Sequence, residues 1–171
     1  MTRRSRILLL LAGMLPSLAV HGPALHAHEQ SPLIAGWSET VAFSGLGLSR
    51  KAKLDTGART SSLHARDIQI FEKDGAQWVR FSVSFGPAGQ KTFERPVHRI
   101  STVKRAGTAP EKRPVVLLDA CVAGIHRRSE FNLKNREGMR YPVLIGRLFL
   151  GGNVLVDASV KNLHEGRCPV R

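Results

Sequence analysis

The clearest chemistry in this chain belongs to one aspartate. Asp55 lies in the stretch Lys51-Ala52-Lys53-Leu54-Asp55-Thr56-Gly57-Ala58-Arg59-Thr60. It ends an apolar-flanked strand and opens a tight turn. Thr56 and Gly57 are small, and Gly57 permits a backbone path that a larger residue resists. A carboxylate so placed can face a cleft while its backbone stays in the fold. Two carboxylates a few ångströms apart can share one proton: one activates water, the other donates a hydrogen bond to a scissile carbonyl. No covalent intermediate is needed. Taken alone, Asp-Thr-Gly is weak evidence, since such turns usually do nothing but turn. Its weight comes from a second segment, Pro142-Val143-Leu144-Ile145-Gly146, followed by Arg147. That apolar run has the character of a strand buried on both faces.

Other chemistries lack their residues. His28-Glu29 and His164-Glu165 lack the second histidine of a zinc-protease helix, and His64, His98 and His126 stand singly, so no metal is implied. Residues Gly86 to Thr92 place Gln90 between Gly89 and Lys91, which breaks a phosphate-binding loop. There is no serine nucleophile elbow and no Cys-His pair. No cofactor is expected.

The elements that must position Asp55 read as short strands. Residues 28–36 read as a polar lead-in, and Gly36 to Phe43 as a first strand. After a turn at Ser44 to Gly47, residues Leu48 to Leu54 set Ala52 and Leu54 on one face and Lys51 and Lys53 on the other. Lys73-Asp74-Gly75 signals a hairpin. Val79, Phe81, Val83 and Phe85 alternate with Arg80, Ser82 and Ser84 in the clearest strand of the chain. Gly86 to Gly89 breaks it, and Thr92 to Ile100 reads as another strand. Ser101 to Arg113 reads as a basic, mobile loop. Val115 to Leu118 with Val122, then Ile125 to Leu133, flank a turn at Ala123-Gly124. Arg147 to Leu150 suggests one helical turn, and Val154 to Val156 a last strand. The pattern predicts an all-β domain, mostly antiparallel, closed, with at most one or two short helices.

The chain has 171 residues and a formal net charge of +13. Arg3, Arg4 and Arg6, the apolar run from Ile7 to Val20 and the small residues near Ala27 match a secretory leader over residues 1–27. Residues 28–171 then form one domain, exported and periplasmic. The apolar run is too short for a permanent membrane span. Without the three leader arginines the charge is +10. It reads as a solvated basic surface or as attraction to acidic peptides and polymers. No aromatic-interleaved basic motif supports nucleic acid. Cys121 and Cys168 are the two cysteines. An oxidising compartment would let them pair, and the sequence leaves that open.

Leu54 to Ala58 followed by Val143 to Arg147 resembles the paired signature of retropepsin-type aspartic proteases. The block Lys51 to Ala65, Gly36-Trp37, Gln77 to Phe81, and Leu144 through Asp157 resemble a bacterial branch of these endopeptidases, historically named as ATP-dependent zinc proteases. The resemblance implies a closed acid-protease fold and a hydrolase of peptide bonds. Asp55 would be the catalytic carboxylate, Thr56 would steady its turn and Gly57 would line the substrate channel. Ala58, Arg59 and Thr60 would meet substrate, while Ile145, Gly146 and Arg147 would support the turn from behind. A flap is implied at Phe71 to Phe85 or at Phe85 to Phe93.

Two departures stand out. Viral members carry an acidic residue where Arg59 stands, so Arg147 needs another acidic partner, with Asp67 or Asp157 as candidates, and Arg59 becomes a candidate reader of acidic substrate. Only one Asp-Thr-Gly is present, and Asp157-Ala158-Ser159 lacks the glycine turn. A dyad then requires a homodimer. Two alternatives remain: a non-catalytic binding module for anionic peptides or polymers, or a hydrolase of poly-glutamate or isopeptide links.

Overall fold

The computed structural model describes residues 31–105 and 107–169. The leader expected over residues 1–27 lies outside these. Among the described residues no helix is long and apolar enough to cross a membrane.

The protein is all-β. Its strands are β1 (Leu33–Gly36), β2 (Ser38–Phe43), β3 (Leu48–Leu54), β4 (Ser61–His64), β5 (Arg66–Lys73), β6 (Ala76–Ser84), β7 (Gln90–Pro96), β8 (Arg99–Arg105), β9 (Thr108–Val122), β10 (Ile125–Lys134), β11 (Val143–Ile145) and β12 (Val154–Asp157). One α-helical turn, α1 (Arg147–Leu150), follows β11. The main sheet runs β10-β4-β11-β3-β2-β9-β8, and β9 also pairs with β10, so six strands close a ring with β8 hanging from β9. Strands β5, β6 and β7 make a separate antiparallel sheet, and β1 pairs in parallel with β12.

The alternations seen in the sequence decide which faces are buried. Ala52 and Leu54 of β3 point into the core while Lys51 and Lys53 are exposed. Val79, Phe81 and Val83 of β6 are buried, as is Ser82, whose hydroxyl pairs with that of Thr92 at 3.2 Å. Phe43 and Phe131 meet edge to face with centroids 5.1 Å apart inside the ring, a geometry that favours aromatic pairs. Lys73 and Ala76 close the β5–β6 hairpin over Asp74 and Gly75, both at positive φ. That is the two-residue turn whose twist matches the strands.

Four expectations are corrected. The supposed lead-in contains β1, whose register sets Leu33 against Val154 and Gly36 against Asp157. The first strand therefore breaks at Trp37, whose N–H turns to the carbonyls of Asp157 and Val160. The strand expected over Thr92 to Ile100 is two strands, parted at Val97 and His98. The basic loop expected over Ser101 to Arg113 is a hairpin of β8 and β9, with Arg99 opposite Val115 and Val103 opposite Glu111. Pairing with the long β9 satisfies backbone groups that a loop would leave to water.

The tail is clamped to the body. Cys121 of β9 and Cys168 form a disulfide with Cα atoms 5.6 Å apart. Glu39 is fully buried, and its carboxylate accepts from the backbone N–H groups of Gly36 at 2.8 Å, Leu163 at 3.0 Å and His164 at 3.3 Å. A buried carboxylate requires such donors.

Candidate active site

Strand β3 delivers Asp55 to the end of the ring, and β11 holds it there. The two strands are parallel, with Leu54 opposite Ile145. The Asp55 N–H donates to the Ile145 carbonyl at 2.8 Å. Ile145 is fully buried, so this anchor is rigid.

The turn then folds back on its own carboxylate. Oδ1 of Asp55 accepts from the N–H of Gly57 at 3.0 Å and of Ala58 at 3.3 Å. Oδ2 lies 3.5 Å from Nζ of Lys53. The Asp55 side chain is 25% exposed, and Thr56 and Gly57 are exposed beside it. One oxygen is thus fixed by backbone, while the carboxylate keeps an open side. Gly57 is not held in left-handed backbone. A Cβ there would stand 3.1 Å from Oδ1 of Asp55, so closeness, not a forced dihedral, makes glycine fit.

Gly146 and Arg147 close the turn from behind. The Gly146 N–H donates to the buried Ser61 Oγ at 3.0 Å. A Cβ on Gly146 would meet the carbonyl oxygens of Ala58 and Arg59 at 2.9 Å, closer than real Cβ contacts. Those carbonyls accept from the N–H groups of Arg147 at 2.8 Å and Leu148 at 3.0 Å. The Arg147 guanidinium donates through one nitrogen to the carbonyls of Thr56 at 2.8 Å and Gly57 at 2.9 Å. The acidic partner expected for Arg147 is therefore replaced by backbone carbonyls of the turn itself. Asp67 instead accepts from Gln90 at 3.1 Å, and Asp157 accepts from the N–H and hydroxyl of Ser159.

Residues Ala58, Arg59 and Thr60 run on from the turn into the wall of a cavity of about 550 Å³. Its opposite wall is the β8–β9 hairpin, through Arg99 to Val103 and Arg113. The segments expected as a flap lie elsewhere. Arg50, near the start of β3, donates to the Ser84 carbonyl, and Arg95 donates to the Gly45 carbonyl at 2.8 Å, so the β5–β7 sheet packs toward the opposite end of β3.

Four arginines from distant stretches, Arg59, Arg99, Arg113 and Arg136, line this cavity. The reading of the basic residues as a solvated surface fails for Arg113, which is 6% exposed, while Arg59 is exposed and Arg99 and Arg136 are half-buried. Arg99 pairs with Glu130 and donates to Thr60 Oγ1 at 3.1 Å. Arg113 donates to Glu111 at 2.6 Å and to Asn132 Oδ1 at 3.4 Å. The Arg113 and Lys134 hydrogen bonds draw the Glu111 carboxyl down to about 2, against burial. Hydrogen bonding from Arg99 likewise holds Glu130 below the usual carboxylate range, and the nearby charges of His98 and Arg59 push the same way. No spacing in the sequence marks these arginines as a group.

Residues 34–166 match the model of the RimB-like family, described as retropepsin-like aspartic endopeptidase RimB. A probable alpha-L-glutamate ligase from Shewanella pealeana is 35% identical over 135 residues, covering 77% of this chain and 30% of that protein. One of the same description from Parasynechococcus marenigrum is 36% identical over 129 residues, covering 73% of this chain and 28% of that protein. The chain thus spans under a third of the length of these curated relatives. The crystal structure of protein Lpg0085, of unknown function, from Legionella pneumophila superposes with a TM-score of 0.66 at 35% identity. It covers 79% of this chain and all of that one. A carboxylate turn held by an apolar strand and a glycine-arginine support, in a closed all-β ring with this match along most of its length, places the chain in the RimB-like, retropepsin-like aspartic endopeptidase family.

Proposed function

We propose that this chain is an exported, periplasmic aspartic-type endopeptidase in which Asp55 activates the attacking water. The observation that carries the reading is the fixed carboxylate: Oδ1 accepts from Gly57 and Ala58 while Asp55 N–H is tied to Ile145. Since the sequence holds one Asp-Thr-Gly, the dyad forms in a homodimer, with one Asp55 from each chain sharing a proton. Thr56 and Gly57 are exposed beside Asp55, which leaves this face open to a second copy. One carboxylate then removes a proton from water as its oxygen attacks the peptide carbonyl. The other, protonated, hydrogen-bonds the carbonyl oxygen, and the nitrogen leaves with a proton. Ala58, Arg59 and Thr60 contact the peptide beyond the dyad.

Asp55→Asn keeps the side-chain acceptor for Gly57 and Ala58 but cannot act as the base. It should retain the wild-type melting temperature and dimerisation in sedimentation velocity, and lose peptide cleavage by about 10³-fold or more. Undiminished cleavage by this variant would refute the assignment.

The arginine-lined cavity supports a narrower reading, hydrolysis of links between glutamates. The relatives named as probable alpha-L-glutamate ligases are consistent with such a substrate. Release of glutamate from an oligo-glutamate peptide, with no cleavage of its oligo-glutamine counterpart, would select it.

A further inference from the structure

Strand β9 is left open on one side over a short stretch. It pairs with β10 from Val115 to Val122. On its other side β8 stops at Val115, opposite Arg99, and β2 begins only at Ala120, opposite Phe43. Val116 to Asp119 therefore have a strand on the β10 side alone. The His98 N–H donates to the Val115 carbonyl at 2.8 Å, so the backbone groups of Val115 face the open side. Strand alternation turns those of Leu117 and Asp119 the same way.

A cavity of about 340 Å³ occupies this gap. One wall is β9, through Leu117 and Asp119, and a second is Gly45 with Leu46. The third is the link from β7 to β8, Arg95 to His98. The Arg95 guanidinium joins the last two walls by donating to the Gly45 carbonyl at 2.8 Å. Gly45 precedes β3 and Asp55 follows it, so this cavity stands apart from the Asp55 turn. Pro96, Val97 and Leu117 give it apolar surface that is not fully buried.

The charged lining divides into spent and unspent groups. Arg95 is spent on the carbonyls of Glu94 and Gly45. His98 stands 3.5 Å from Glu130. Asp119 and Arg128 are left. They are exposed and directly opposite each other in the β9–β10 register. Opposite charges so placed ordinarily pair. Yet among the described residues neither side chain makes an ion pair or a hydrogen bond. Both also border a neighbouring hollow beside His126, which sets them on the rim.

We propose that this cavity binds a free α-amino acid with an apolar side chain. Its ammonium pairs with Asp119, its carboxylate with Arg128, and its side chain lies against Pro96, Val97 and Leu117. The open backbone of Leu117 and Asp119 supplies further donors and acceptors to the two charged ends. A zwitterion uses both unspent charges at once, which a simple acid or amine does not. The volume favours a single amino acid over a longer peptide, because it stands near the lower end of small-molecule sites, roughly 300–1,000 Å³. The site is separate from hydrolysis at Asp55 and does not rest on that reading.

The test is calorimetric titration of the full chain with five probes: leucine, glycine, N-acetyl-leucine, leucinamide and N-acetyl-leucinamide. Leucine should bind, and glycine, which lacks the side chain, about tenfold more weakly or worse. Removing either charge, in N-acetyl-leucine or leucinamide, should also cost about tenfold. Asp119→Asn and Arg128→Gln should each weaken leucine by a similar factor and leave the melting temperature unchanged, since neither side chain has a partner to lose. The pairing of charges is read from the crossed measurement. Asp119→Asn should not change the affinity for N-acetyl-leucine, and Arg128→Gln should not change that for leucinamide.

No binding of leucine at millimolar concentration would overturn the proposal, as would glycine binding equally well. N-acetyl-leucinamide binding as tightly as leucine would show that the cavity takes a peptide segment instead. Wild-type affinity for leucine in both variants would place the ligand elsewhere.

Discussion

Arg147 holds the turn carrying Asp55 by its backbone: one guanidinium nitrogen reaches the Thr56 carbonyl at 2.8 Å and shares itself with Gly57. The usual partner for such an arginine is a carboxylate, and here the turn itself takes that place. A lysine keeps the charge but not the fixed, directional fork. Arg147→Lys should cost about 1 kcal/mol in urea unfolding, and Arg147→Met about 2 kcal/mol, since both carbonyls revert to water. Cleavage should fall in the same order, chiefly in kcat, because a displaced turn misplaces the carboxylate more than it weakens substrate contacts. Wild-type kcat in Arg147→Met would show that the turn holds without it.

Gly146 admits no side chain. A Cβ there would stand 2.9 Å from the carbonyl oxygens of Ala58 and Arg59, and these are backbone atoms with nowhere to swing. Gly146→Ala should therefore destabilise by about 2–3 kcal/mol, within the range for overpacking. It should also lower cleavage beyond what the lost stability explains, because the strain falls on the residues that follow Asp55. The measurement is kcat/KM well below the melting transition, where all of the protein is folded. An unchanged melting temperature would contradict the close approach.

The Glu111 carboxyl, brought to about 2 by Arg113 and Lys134, makes stability depend on pH in a definite direction. An unfolded chain binds this proton near the ordinary value of 4.5, the folded chain only near 2. The stabilisation is fully present above pH 4.5 and is lost as pH falls from 4.5 toward 2. Glu130 and Asp157, whose carboxyls are also held low, act in the same sense. The informative quantity is therefore the difference between wild type and Glu111→Gln. Their melting temperatures should differ above pH 5 and converge toward pH 2. A constant difference across that range would show that the ion pair contributes nothing to stability.

Much of the site was legible because its chemistry is local. The Asp55 turn and the Val143–Arg147 run each announce themselves within five residues, and their pairing in space needs only a strand long enough to reach. Other elements left weaker traces. β1 is four residues long, and its partner β12 lies about 120 positions away. The β8–β9 hairpin was hidden by Gly107, Pro110 and Pro114. Pro110 stands by an irregularity in the pairing between Val103 and Arg105, and such positions tolerate a missing N–H. The arginine-lined cavity was illegible for a further reason. Arg59, Arg99, Arg113 and Arg136 share no period.

The bond from Arg147 to Gly57 spans 90 residues of chain, and the β3–β11 pairing that places Asp55 joins residues as distant as Leu54 and Ile145. Such distant parallel pairings form late, after the loops between them have closed. A growing chain that has passed Gly57 but not yet reached Gly146 therefore holds its aspartate on an unsupported turn. If Asp55 cuts peptides, the order of synthesis is itself a safety catch: the blade is made early and the handle last, and no fragment short of the handle can cut.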